Sequence, residues 1–143
     1  MPRCPSRGVG VSLTVKPMHS KPNILIVDDE RGIRSLLELS FADAGYDVRI
    51  AADGNQAMQL CGIESFDAVL SDVRMPGISG HELARWLARR HPATRFFLMT
   101  GWDTGCEDCP IAGRCSIVAK PFRPKDVVSR VDAALAWGQK PAA

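Results

Sequence analysis

Five polar side chains that could act together stand at the ends of short apolar segments. Asn23-Ile-Leu-Ile-Val27 runs into Asp28-Asp29-Glu30, Asp67-Ala-Val-Leu-Ser71 into Asp72, Arg95 to Met99 into Thr100, and Ile117 to Ala119 into Lys120. If these segments are parallel strands of one sheet, Asp28, Asp29, Asp72, Thr100 and Lys120 emerge along a single edge, where open α/β sheets gather their ligands. Three carboxylates brought together repel one another and need a cation between them. Oxygen donors of this kind suit Mg²⁺, which takes one or two carboxylates with waters and phosphate oxygens. Beside such a cation one carboxylate can attack phosphorus, while the Thr100 hydroxyl and the Lys120 ammonium bind the arriving phosphoryl oxygens. Any one of these residues alone reads as an ordinary strand-end polar group. The set, in this order, reads as a site.

The elements that must position it alternate along the chain. Continuous apolar runs such as Ile24 to Val27 suit parallel strands covered on both faces. Ile33, Leu36, Leu37, Phe41 and Ala44 recur at helical spacing, and Gly45 is a natural stop. Asp47 to Ala51 reads as a second strand, and Asp53 to about Gly62 as a weaker helix with Ala57, Met58 and Cys61 on one side. Ser79 with Glu82 three residues on is a capping-box signature that opens a helix through Leu83, Ala84 and Leu87 and ends it by Pro92. Val127, Val128, Val131, Ala134 and Leu135 give a last helix, with Pro124 suited to its first turn. The pattern predicts an α/β fold with a doubly wound, five-stranded parallel sheet. One connection stands apart. Between Gly101 and Ser116 there is no helical apolar stripe, so the fourth crossover helix is expected to be short or replaced by a loop.

Composition narrows the class. The chain has 143 residues, 45% hydrophobic and 24% charged, which is ordinary for one globular domain. A net charge of +2 gives no argument for nucleic acid or an anionic membrane, and no apolar run approaches a membrane span. No apolar block of signal-peptide length stands near the N-terminus, so a cytoplasmic location is expected. Residues 1–21 read as a tail, with Met18 a candidate start, residues 22–138 as the domain, and residues 139–143 as a second tail.

Asp28-Asp29 after an apolar strand, Asp72-Val-Arg-Met-Pro-Gly77, Thr100-Gly101 and Lys120-Pro121-Phe122 together resemble the receiver domain of two-component response regulators. The resemblance covers roughly residues 22 to 138. It implies a flavodoxin-like sheet of order 2-1-3-4-5, with Asp72 taking a phosphoryl group from a histidine kinase or a phosphotransfer protein. It implies Mg²⁺ bound by Asp29, Asp72 and the backbone carbonyl of Arg74, with Asp28 assisting through water. Thr100 would bond the phosphoryl group, and Lys120 would pair with it or with Asp72, oriented by a cis bond to Pro121. Arg74 and Trp102 would lie beside the site and tune hydrolysis of the acyl phosphate. Such a domain assists its own phosphorylation and dephosphorylation and is not an enzyme toward another substrate. With no second domain read after residue 138, output is expected through an unknown protein target, with a homodimer possible, and without direct contact to nucleic acid or membrane. A small hydrolase of similar layout fits less well, because Arg74 stands where such enzymes often place a second aspartate.

Two features depart from the family pattern. Three positions before Lys120, where receivers usually carry an aromatic residue that swings on activation, stands Ile117. The segment before the fifth strand carries Cys106, Cys109 and Cys115, spaced C-x2-C-x5-C. That spacing is compatible with Zn²⁺ or an iron–sulfur cluster, given a fourth ligand from Asp103, Glu107, Asp108, Cys4 or a second chain. It is also compatible with a redox disulfide, or with free thiols. The alternative function is therefore a receiver-like binding module whose cysteines sense metal or redox state. Cys61, on another helix, is a poor member of that set. His81, His91 and the Arg85, Arg89, Arg90 cluster read as surface groups, and Trp86 and Trp137 as packing residues.

Overall fold

The computed structural model describes residues 21–101 and 115–136, with Cys115 described in its backbone only. In chain order the elements are β1 (Asn23–Val27), α1 (Arg31–Asp43), β2 (Asp47–Ala51), α2 (Gly54–Ile63) and β3 (Ala68–Asp72). They continue with α3 (Gly80–Arg90), β4 (Arg95–Thr100), β5 (Cys115–Ala119) and α4 (Pro124–Leu135). The five strands form one parallel sheet of order β2-β1-β3-β4-β5, the flavodoxin-like arrangement expected from the sequence.

Central strands covered on both faces need no polar side, and β1, β3 and β4 are buried almost throughout. The period of two along each strand divides their side chains between two cores. Leu25, Val27, Val69, Phe96 and Leu98 face α2 and α3, with Ala57, Leu83 and Leu87. Ile24, Ile26, Leu70, Phe97 and Met99 face α1 and α4, with Leu37, Phe41, Val127 and Val131. Edge strand β2 is mostly exposed, and it alone among β1 to β4 has charged residues, Asp47 and Arg49, at two of its first three positions. The Tyr46 hydroxyl, just before β2, donates to Asp132 Oδ1 at 2.6 Å and ties that edge to α4.

Helix ends follow the local signals. Gly45 adopts φ 97° and lets the chain turn from α1 into β2. Asp53 caps α2 by accepting from the Gln56 N–H at 2.9 Å. Ser79 and Glu82 form the reciprocal capping box of α3, at 3.2 and 3.1 Å. Pro124 occupies the first turn of α4.

One boundary differs from expectation. β5 begins at Cys115 and not at Ile117, because Phe96↔Cys115 and Phe97↔Ser116 continue the ladder with β4. Cysteine and serine carry little strand signal, so the sequence alone does not extend the strand to them. Cys115 thus belongs to the sheet and not to the connecting segment. The expected modification of the fourth crossover, with Trp102, Cys106 and Cys109, lies outside the described residues. So do Cys4, Trp137 and both tails apart from Lys21.

Candidate functional site

The site is assembled where β1, β3, β4 and β5 end. Asp28 follows β1, and its N–H still donates to the Ala51 carbonyl at 3.2 Å, so the sheet fixes its position. The residue is fully buried. Its Oδ1 accepts from the Glu30 N–H at 2.8 Å, and its carbonyl accepts from Arg34 Nη1 at 2.8 Å. Asp72 closes β3 opposite Met99, and the next N–H, of Val73, bonds the Met99 carbonyl at 3.1 Å. Thr100 ends β4 and is buried, and its carbonyl accepts from the Lys120 N–H at 2.9 Å. The Lys120–Pro121 bond is cis.

From these anchors the side chains converge. Carboxylate oxygens of Asp28, Asp29 and Asp72 lie within 4.8 Å of one another. Lys120 Nζ reaches Asp72 Oδ1 at 3.3 Å and Asp28 Oδ2 at 3.6 Å. Asp29, Glu30, Arg74 and Gly101 complete the cleft around Asp72, Thr100 and Lys120. Among the described residues, a Cβ built on Gly101 would meet nothing within 4 Å.

The electrostatics are those of a cluster with too much negative charge. Burial is the main reason the Asp28 carboxyl is pushed up to about 6, and neighbouring Asp72 adds to it; the Glu30 N–H and Lys120 pull the other way. Burial raises Asp72 as well, against the downward pull of Lys120. Burial pulls the Lys120 ammonium down, but Asp28, Asp72 and Glu30 outweigh it and raise it above its ordinary value. Asp28 Oδ2 is buried with no hydrogen-bond partner, facing the Lys120 ammonium at 3.6 Å, in a residue grouped with Asp29 and Asp72. Such a donor set fits a hard divalent cation such as Mg²⁺.

Gly80 and Arg34 were not singled out by the sequence reading, and Glu30 was named only as the last of the acids after β1, without a part in the site. A Cβ on Gly80 would collide with the Asp72 carbonyl oxygen and lie 2.8 Å from Leu98 Cδ2, so glycine is what lets α3 start against the end of β3. Arg34 holds the Asp28 carbonyl from the first turn of α1. Glu30 reaches Lys120 at 3.9 Å. Gly80 could have been found from the capping box, which places it as the first residue of a helix eight residues after Asp72. Arg34 and Glu30 carry no such signal.

Ile117 is partly buried against the core shared with α2 and α3, and its carbonyl accepts from Arg130 Nη1 at 2.6 Å. Cys61 is buried on α2, its thiol pushed up to about 11 by burial and then by Glu64, and stands apart from the acidic cleft. His81 and His91 are partly exposed, as expected of surface groups. Trp86 packs against the core, and Arg90 lies over its ring at 5.1 Å. Among the described residues no helix is long and apolar enough to cross a membrane.

Comparison with known proteins places this arrangement. A sequence model of the response regulator receiver domain matches residues 24–132. The chain is 31% identical over 131 residues to the probable transcriptional regulator ycf27 of Cyanophora paradoxa, an overlap of 85% of this chain and 52% of that protein. It thus spans about half the length of the curated relatives it matches. The chemotaxis response regulator CheY4 of Vibrio cholerae superposes with a TM-score of 0.72 at 28% identity, over 80% of this chain and 99% of that one. A CheY-like receiver domain protein from Methanospirillum hungatei does so with a TM-score of 0.73 at 26% identity, over 82% and 95%. The matched span runs from Ile24 in β1 to Asp132 in α4, and the chain belongs to the response regulator receiver-domain family of two-component signalling.

Proposed function

We propose that Asp72 is a phosphoryl acceptor, charged from the phosphohistidine of a histidine kinase or a phosphotransfer protein, and that the acyl phosphate signals to a protein target. The observation that carries this is the pairing of Asp72 Oδ1 with Lys120 Nζ at 3.3 Å inside a cluster of three carboxylates. A nucleophilic oxygen, a cation to receive phosphoryl oxygens and a set of metal donors share one open cleft.

The chemistry follows from the geometry. An Asp72 carboxylate oxygen attacks phosphorus, the P–N bond to the donor imidazole breaks, and the imidazole leaves and takes up a proton. Lys120 then turns from the Asp72 carboxylate to the phosphoryl oxygens, with Thr100 next to it at the end of β4. Asp28, Asp29 and Asp72, with the Arg74 carbonyl, would hold Mg²⁺, which neutralises charge on the transferring group. Water later cleaves the P–O bond and restores the carboxylate. The protein acts on no further substrate in this reading and works in the cytoplasm. Its ycf27 relatives are named as transcriptional regulators; for this chain, output passes through protein contact.

The test is incubation with Mg²⁺ and acetyl phosphate, read by intact mass against Asp72→Asn. The expected result is an adduct of one phosphoryl group, dependent on Mg²⁺ and absent from the variant. A folded, reduced wild type that stays unlabelled with Mg²⁺ present would sink the proposal.

A further inference from the structure

Lys120 is shared by more carboxylates than phosphoryl transfer requires. Beyond Asp72 and Asp28 its Nζ lies 3.9 Å from Glu30 Oε1, on a side chain that is 64% exposed. Glu30 is pinned at both of its backbone groups. Its N–H donates to Asp28 Oδ1 at 2.8 Å, and its carbonyl accepts from the Arg34 N–H at 3.1 Å. It is the N-cap residue of α1, yet its side chain makes no capping hydrogen bond. The carboxylate instead reaches across the cleft toward Lys120, beside Arg74 and Asp29.

We propose that Glu30 selects phosphoryl donors by their charge. Held at the mouth of the cleft, it adds a negative charge where a donor must enter and draws Lys120 away from the incoming oxygens. The inference rests on Asp72 being the acceptor. Coulomb energy is linear in the donor's charge, so Glu30 penalises a dianion about twice as much as a monoanion. Because Glu30 is exposed, salt screens the effect. A purely structural role would slow or speed all donors alike, whatever the salt.

The experiment measures initial labelling rates of the full chain with Mg²⁺ at neutral pH, by intact mass. The donors are acetyl phosphate, mostly a dianion, and phosphoramidate, of net single negative charge. Wild type is compared with Glu30→Gln and Glu30→Asp, each checked for folding by circular dichroism. Glu30→Gln should gain about fourfold with acetyl phosphate and about twofold with phosphoramidate, both gains shrinking in high salt. Glu30→Asp, which keeps the charge, should keep the wild-type ratio between donors. The inference is overturned if Glu30→Gln leaves that ratio unchanged, or if Glu30→Asp shifts it equally. A folded wild type labelled by neither donor overturns the Asp72 reading itself, a result distinct from a labelled wild type with an unmoved ratio.

Discussion

Lys120 pairs with two carboxylates of the cleft at once. Its ammonium satisfies Asp72 at 3.3 Å and Asp28 at 3.6 Å, so in the unphosphorylated protein it partly offsets the crowded carboxylates. The same charge is what a phosphoryl group on Asp72 would need. Lys120→Met should therefore separate binding from transfer. Removing the ammonium leaves the carboxylates more negative, so Mg²⁺ affinity, titrated by a change in intrinsic fluorescence or by calorimetry, should be unchanged or tighter. Labelling of Asp72 should fall by about tenfold to a hundredfold, because a charged donor aimed at the developing charge is lost. Equal labelling rates in variant and wild type would remove Lys120 from the reaction. Asp28, Asp29, Asp72, Thr100 and Lys120 could be read from the sequence because they follow apolar runs, and parallel strands deliver their ends to one edge. Glu30 and Arg34 could not, since their parts depend on where a side chain goes after a turn. Sequence spacing fixes the turn and not the direction.

At the scale of elements, the contact between α3 and β3 decides whether Asp72 can stand where it does. Gly80 begins α3 directly on the Asp72 carbonyl, and its own N–H bonds the Val73 carbonyl at 2.9 Å. A methyl group there must move either the helix or the strand end. Gly80→Ala should therefore destabilise the fold by about 1–3 kcal/mol in denaturant titrations and slow labelling by more than stability loss explains. Gly101→Ala, where the added carbon meets nothing among the described residues, should cost little stability, so the pair separates contact with β3 from loss of glycine as such. If the two variants behave alike in labelling and in stability, the contact at Gly80 is not what matters. The strands and helices themselves were legible because their signals are local: a buried apolar run for β1, a capping box for α3, Gly45 after α1. β5 was legible only in part. Its first two residues, Cys115 and Ser116, are strand because β4 extends alongside them, a tertiary cause that residue type does not encode. Gly80 was missed for a related reason: its lack of a side chain matters only once the neighbouring backbone is known.

For the whole molecule, the acidic cleft links stability to pH and to cation binding. The Asp28 carboxyl ordinarily titrates near 3.8 and is pushed up to about 6 in the fold, chiefly by burial. A raised carboxyl binds its proton more tightly in the folded state. Its contribution to stability is therefore present below pH 3.8 and lost as pH rises toward 6. A shift of this size corresponds to about 2–3 kcal/mol, or roughly 10 °C in melting temperature for a domain of this length. Asp72, raised in the same direction, adds to the loss. A divalent cation that binds the ionised cluster only in the folded state restores stability by mass action. The comparison that isolates Asp28 is thermal unfolding of wild type and Asp28→Asn in EDTA across pH 4 to 8. Wild type should fall relative to the variant between about pH 4 and 6, then run parallel to it above that window, with effects common to both proteins cancelling in the difference. Millimolar Mg²⁺ at pH 7.5 should raise the wild-type melting temperature by several degrees and move the variant much less. Parallel curves across the whole range would mean that Asp28 is ionised in the fold at no cost. The buried Asp28 Oδ2, which has no hydrogen-bond partner, would then need an explanation other than a place kept for a cation.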